Sequence, residues 1–352
     1  MLHSGVSRDH SDYLESLKHQ SAVQLYTRAD LPVFLRQDPA DSVAVVELEY
    51  PGLVANRRLL DDLRRCRRVI VTSMEYGLPY QDLIRDHDLP NFEWVTPSAP
   101  PLSHGLHTAN NEWLTSTVYP YFHEPRFTAM GWQARLRPDR ERDHTFEVML
   151  GLPRPHRVFC REWVQAHVPT EHYLMSQPFV DIPNSSTRID ELPRDSVFRE
   201  PECSADPTPY HVQYLGRRMV QSTVLPIRLY EQTQHSVVCE THTDVCFPTE
   251  KTCKPIMAQR LFVVLSCVGY LRHLRMLGFR TFGHIIDESY DSEPNDTVRW
   301  TQALEQMRSL VGRPWPELWA QLQPVVAHNL QHLRALPVQA LLGRIQQAMG
   351  VV

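Results

Sequence analysis

Short β-branched and aliphatic runs alternate along this chain with stretches of helical spacing. That alternation limits the possible folds more than any other feature. Val43–Leu48, Arg68–Thr72 and Phe92–Val95 read as buried strands, with helical segments at Val54–Cys66 and Pro79–Arg85 between them. Phe146–Leu150 reads as a further strand, Gly151–Pro155 as a turn and His156–His167 as a helix. The second half repeats the pattern, with strands expected at Val220–Leu229, Ser236–Glu240, Leu261–Ser266 and Phe279–Phe282. Helices are expected there at Glu250–Gln259 and Gly269–Leu277, and Val298–Val311, Trp315–Leu333 and Pro337–Met349 form a helical tail. Parallel strands must be joined by crossovers, so strand–helix–strand at this spacing predicts an α/β fold with parallel sheets.

At 352 residues, two domains are expected over one. Residues 177–210 are rich in Pro, Ser, Asp and Thr and lack periodicity, which marks a linker. The expected division is a domain at 1–176, the linker at 177–210, a second α/β domain at 211–312 and the helical tail at 313–352. The hydrophobic content of 42% with 22% charged residues describes a folded chain. The longest apolar run, Leu261–Leu271, is too short to span a bilayer, and the polar N-terminus does not read as a secretory signal. Seven cysteines without a CxxC pair point to a reducing compartment, so a cytoplasmic protein without a membrane span is expected.

Of 36 Lys+Arg only three are lysines (Lys18, Lys251 and Lys254), leaving 36 − 3 = 33 arginines. Two of the three lie in one segment, Ser236–Pro255. There Glu240 ends a strand, Thr249 is a natural N-cap, and Glu250 and Lys251 fall in the first helical turn with Lys254 one turn on. A helix N-terminus offers free N–H groups and partial positive charge, and two lysines beside it make a diphosphate site. Glu240 and Glu250 are candidates to accept from ribose or sugar hydroxyls. The alternative is a solvated first turn with favourable dipole pairing.

The order Cys239-Glu240-Thr241-His242, then Phe247-Pro248-Thr249-Glu250-Lys251, then Phe262–Ser266 with Gly269, resembles the donor-binding half of α1,3-fucosyltransferase-like enzymes. These are GT-B glycosyltransferases of two Rossmann-like domains. The resemblance covers roughly 45 residues and implies that Glu250 and Lys251 contact a nucleotide-sugar donor. The family's Asn-Ser is Thr241-His242 here and its tyrosine is Phe247, so donor identity does not carry over. The whole chain also looks like phage-encoded glycosyltransferase-like proteins. Gly151–Arg157 resembles the family's crossover arginine segment and points to Arg157 as a phosphate-neutralising group, across the cleft from the donor helix, with Arg154 and His156 nearby.

Glycosyl transfer with inversion needs a base for the acceptor hydroxyl and cationic groups for the departing diphosphate. Glu75, in the turn after Arg68–Thr72, is the candidate base, with Glu47 and Glu49 as alternatives. The expected activity is transfer of a sugar from a nucleotide diphosphate to a hydroxyl on a glycan, with no metal and no cofactor. The alternative acceptor is a hydroxymethylated pyrimidine of phage duplex DNA, for which Arg57–Arg68 and Arg135–Arg142 supply basic patches. A different class, an inert α/β scaffold or virion protein, is also consistent with the residues. Asp287–Asp291 reads either as a sugar or cation ligand or as a helix cap, and Asp86-His-Asp88 formally fits a metal-binding DxD.

Overall fold

The computed structural model describes residues 43–47, 61, 64–65, 68–72, 92–95, 121–122, 124–151, 153–176, 203–205, 211–220, 224–244 and 246–336. The chain divides into two compact units, Met1–Glu112 with Gln339–Val352, and Trp113–Val338. In the first unit β1 (Val43–Glu47), β2 (Arg68–Thr72) and β3 (Phe92–Val95) form a parallel sheet in that order. Val43 lies opposite Arg68 and Val69 opposite Phe92. These strands fall where the β-branched runs predict them. The expected helix at Pro79–Arg85 and most of Val54–Cys66 lie outside the described residues, as does Pro337–Met349.

The second unit opens with α1 (Pro125–Ala129) and α2 (Trp132–Leu136), then β4 (His144–Met149), α3 (Pro155–His167) and β5 (Tyr173–Ser176). A separate antiparallel meander follows: β6 (Cys203–Ala205), β7 (His211–Tyr214) and β8 (Arg217–Val220). Next come α4 (Ile227–Tyr230), β9 (Thr233–Cys239), α5 (Glu250–Met257), β10 (Phe262–Leu265) and α6 (Tyr270–Met276). Two long helices, α7 (Asp296–Arg308) and α8 (Trp315–Ala335), close the unit. The main sheet is parallel throughout, with strand order β10-β9-β4-β5.

That order revises the expected domain boundary. β4 and β5 precede residues 177–210 and β9 and β10 follow them, yet all four share one sheet. No local pattern encodes a pairing between strands so far apart in sequence, so a Pro- and Ser-rich stretch between them reads as a linker. The stretch also contributes β6 to the meander. Two further elements differ from expectation. Within Val220–Leu229 the strand stops at Val220 and a helical turn starts after Pro226, whose fixed φ and missing N–H suit a helix start and not a ladder. Phe279–Phe282 is not a strand: side chains take its backbone groups, with Asn329 Oδ1 accepting from Arg280 N and Glu288 Oε1 from Phe282 N.

The sheet is largely buried on both faces, as a parallel sheet flanked by helices requires. Every residue of β10 is buried, and Val237, Val238 and Val148 are nearly inaccessible. The core also holds a polar group. Glu147, in mid-β4 and 1% exposed, accepts hydrogen bonds from Ser236 and the Met149 backbone, while its Oε2 has no partner among the described residues. Burial pushes its carboxyl up to about 7, against the pull of Arg260 and the Ser236 hydrogen bond.

This group sets a pH dependence. The unfolded chain ionises it near 4.5, whereas the folded protein keeps it protonated until about 7. Its contribution to stability is therefore complete below about pH 4.5 and is lost as pH rises towards 7. Glu147→Gln removes that slope. Between pH 4.5 and 7 the variant should gain about 3 kcal/mol relative to wild type, read from urea midpoints across that range. Parallel pH profiles for the two proteins would refute the assignment.

Candidate functional site

In the main sheet the chain runs from β4 to β5 on one side, then returns to place β9 and β10 on the other side of β4. The carboxyl ends of β4 and β9 therefore flank a switch point, where open α/β sheets form a crevice for ligands. The segments leaving these two ends carry the residues expected to bind the donor. Arg154 and Arg157 follow β4, whereas Glu240, Thr249, Glu250, Lys251 and Lys254 follow β9. Glu75 lies outside the described residues, as do Glu49 and Asp86-His-Asp88.

Two helices leave the edge on opposite faces. Cys239 ends β9 against Cys160 of α3, and Glu240, turned to the other face, meets the start of α5. Pro155 stands in the first turn of α3, where a missing N–H costs nothing, so the basic residues beside it sit at the strand ends. His156 Nε2 donates to the Glu240 carbonyl at 2.7 Å, Arg157 Nη2 donates to the same oxygen at 3.1 Å, and Arg154 Nη1 donates to the Thr241 carbonyl at 2.6 Å. Gly151 leaves room for this: a Cβ there would lie 3.1 Å from Arg157 Nη1. Burial, aided by the neighbouring Arg157 and Arg154, brings His156 down to about 4, so its ring is neutral at pH 7 and donates from Nε2. Arg157 is thus fixed within the same sheet edge as the α5 residues. The expectation that it faces them across a cleft between domains is corrected by the sheet order.

Glu240 is fully buried and its carboxylate is saturated by the protein. Oε1 accepts from Thr249 N (3.0 Å), Thr252 Oγ1 (2.7 Å) and Tyr270 OH (2.8 Å). Oε2 accepts from Thr249 Oγ1 (2.6 Å) and Thr241 N (3.3 Å). Five donors exceed the roughly four lone-pair sites of a carboxylate. The expected role of Glu240 as an acceptor for sugar hydroxyls therefore gives way to another: it ties the start of α5 to the end of β9. Thr249 completes the tie as the N-cap, its Oγ1 accepting from Lys251 N at 3.2 Å.

The residues nearer solvent are Glu250 and Lys251. Lys251 Nζ donates to Glu250 Oε1 at 2.6 Å and to Thr241 Oγ1 at 3.1 Å, and its side chain is 25% exposed. Burial would raise the Glu250 carboxyl, but Lys251 and Lys254 outweigh it and hold the group below its ordinary value. Lys254 is buried, and burial lowers it to about 8 despite the nearby Glu250. Thr241 is the junction of the cluster, with Arg154 on its carbonyl and Lys251 on its hydroxyl. Sequence reasoning passed over it, because it stands where the resembled motif has asparagine. The Thr249–Thr252 spacing, one helical turn, was the available signal for the Glu240 tie. Tyr270 carried none.

Other candidate groups serve the fold. Asp291 accepts from Leu271 N (2.7 Å) and Arg272 N (2.9 Å), capping α6 and not the helical tail. Glu288 binds Thr281 Oγ1 at 2.7 Å and Arg275 at 3.1 Å. In the Arg135–Arg142 patch, Arg135 makes two hydrogen bonds to Glu231, and Arg142 donates to the Leu136 and Arg137 carbonyls. Those two guanidinium groups are thereby engaged within the protein. Among the described residues no group of three or more His, Cys, Asp and Glu is arranged to hold a metal ion, and no helix is long and apolar enough to cross a membrane.

Compared with models of known protein families, with curated proteins and with solved structures, the chain matches none.

Proposed function

We propose that the protein is a nucleotide-sugar-dependent glycosyltransferase of GT-B type, with the donor's diphosphate held at the carboxyl ends of β4 and β9. The observation that supports this reading is the gathering of Arg154, Arg157 and Lys251 around the Glu240–Thr241 segment that leaves β9 ahead of α5. Cationic side chains at the carboxyl ends of parallel strands suit an anionic ligand. Here they would offset the charge that develops on a departing nucleoside diphosphate. Glu250, whose carboxyl Lys251 and Lys254 hold below its ordinary value, is the candidate to accept from a ribose or sugar hydroxyl. The acceptor hydroxyl would lose its proton to a carboxylate acting as general base. Its oxygen then takes the anomeric carbon as the bond to the diphosphate breaks.

Lys251→Ala tests the donor site. Its ammonium is part-exposed and leaves few groups unpaired, so the variant should fold. It should bind the nucleoside diphosphate preferred by wild type at least tenfold more weakly, a loss of about 1.4 kcal/mol, measured by titration calorimetry. Unchanged affinity for every nucleoside diphosphate, or no binding of any by wild type, would overturn the reading. Release of free nucleotide from a panel of nucleotide sugars separates an enzyme from an inert α/β scaffold, which would release none.

A further inference from the structure

The loop leaving β9 crosses to the end of β10 and is fastened there on both sides of a thiol pair. Ser266 Oγ donates to the His242 carbonyl at 2.9 Å, and Glu240 holds Thr249 at the loop's far end. The Ser266 carbonyl in turn accepts from Arg299 Nε (3.1 Å) and Nη2 (2.9 Å), which fixes the chain next to Cys267. Between these ties the Sγ atoms of Cys246 and Cys267 lie 3.1 Å apart, both buried. A disulfide needs about 2.05 Å between the sulfurs, so the two sulfurs lie within roughly 1 Å of bonding distance.

We propose that Cys246 and Cys267 form a reversible disulfide that locks the loop between β9 and α5 to the end of β10, with a low-molecular-weight disulfide of the glutathione type as oxidant. The Cys246 thiolate attacks one sulfur of the oxidant, forming a mixed disulfide and releasing one thiolate. The Cys267 sulfur then attacks the Cys246 sulfur, and the second oxidant thiolate leaves. The two cysteine protons end on the two released thiols. The cysteine pair loses two electrons, and the oxidant gains them. The hydrogen bond with the Cys246 thiol, and then burial, push the Cys267 pKa up, so exchange waits on opening of the loop and accelerates in mild urea. Cys160 and Cys239 also share a hydrogen bond, but that pair lies between sheet and helix in the core, where opening means losing the unit. The inference stands apart from the donor reading, since its readout needs no ligand.

The test is to equilibrate the full-length protein in glutathione buffers of rising oxidised fraction, with low urea to speed exchange. Thiols are then alkylated and the unreduced protein is digested for peptide mapping. The expected result is one linked species joining the Cys246 peptide to the Cys267 peptide. It should be lost in Cys246→Ala and in Cys267→Ala, and oxidation should raise the melting temperature of wild type alone by several degrees. No linked peptide in the most oxidising buffer, or a Cys160–Cys239 link in its place, would overturn the proposal. The wild-type map decides the matter even if a variant fails to fold.

Discussion

Glu240→Ala is expected to destabilise the second unit by about 4 kcal/mol, the range for removing one partner of a buried charge-assisted network. The substitution strands Thr249 N, Thr241 N and the hydroxyls of Thr249, Thr252 and Tyr270, which all converge on this carboxylate. Water reaches most of these donors poorly, because Thr249, Thr252 and Tyr270 are buried together with Glu240. The N-cap of α5 fails with it, since Thr249 is held in place from both its backbone and its side chain. In a unit of this size the loss corresponds to a fall of roughly 10 °C in melting temperature. Glu240→Gln keeps one oxygen acceptor and turns an NH₂ towards donors, so it should fall between wild type and Glu240→Ala. A loss below about 1 kcal/mol for Glu240→Ala in urea unfolding would mean that α5 is anchored elsewhere.

The contrast with Lys251→Ala separates two kinds of residue that look alike in sequence. Glu240 and Lys251 were both legible as site candidates from position alone, one at a strand end and the other in a capped first turn. Their roles were not legible, because the partners that decide them come from elsewhere in the chain. Thr252 and Tyr270 turn Glu240 into a structural anchor, whereas Lys251 keeps a part-exposed ammonium over Thr241. The strands show the same division. Arg68–Thr72 and Phe92–Val95 announce themselves by short β-branched or aromatic content, and β9 and β10 do so by apolar runs. The pairing of β4 with β9 has no local signal, so the switch point that defines the crevice could not be read before the sheet was seen. The helical turn after Pro226 and the side-chain-pinned Phe279–Phe282 segment were misread as strands for a related reason. Apolar residues alone do not say what will take their backbone hydrogen bonds.

Arg260 should show the second large effect, at the opposite edge of the sheet. It is 5% exposed, and its guanidinium donates from Nε to Ser236 Oγ (3.0 Å) and from Nη1 to the carbonyls of Tyr230 (3.3 Å) and Thr233 (2.6 Å). Nη2 donates to Thr233 Oγ1 (2.8 Å) and the His235 carbonyl (2.6 Å), and the group lies over the Tyr230 ring at 4.4 Å. The planar fork thus gathers the end of α4 and the start of β9 into one point that β10 then joins. An ammonium has three donors on a single atom and cannot reproduce that spread. Arg260→Lys is therefore expected to cost about 3 kcal/mol, and Arg260→Met slightly more, because three carbonyls then lose a donor they share with no solvent. The change also reaches Glu147, whose carboxyl Arg260 holds down against burial. Without that charge the carboxyl moves above 7, so the pH-dependent loss of stability in Arg260→Met should extend to higher pH than in wild type. Urea unfolding of both variants from pH 5 to 9 tests the two statements together. If Arg260→Lys stays within 1 kcal/mol of wild type, the fork geometry is not what holds this edge. If the slope of Arg260→Met ends where that of wild type does, Arg260 and Glu147 are not coupled.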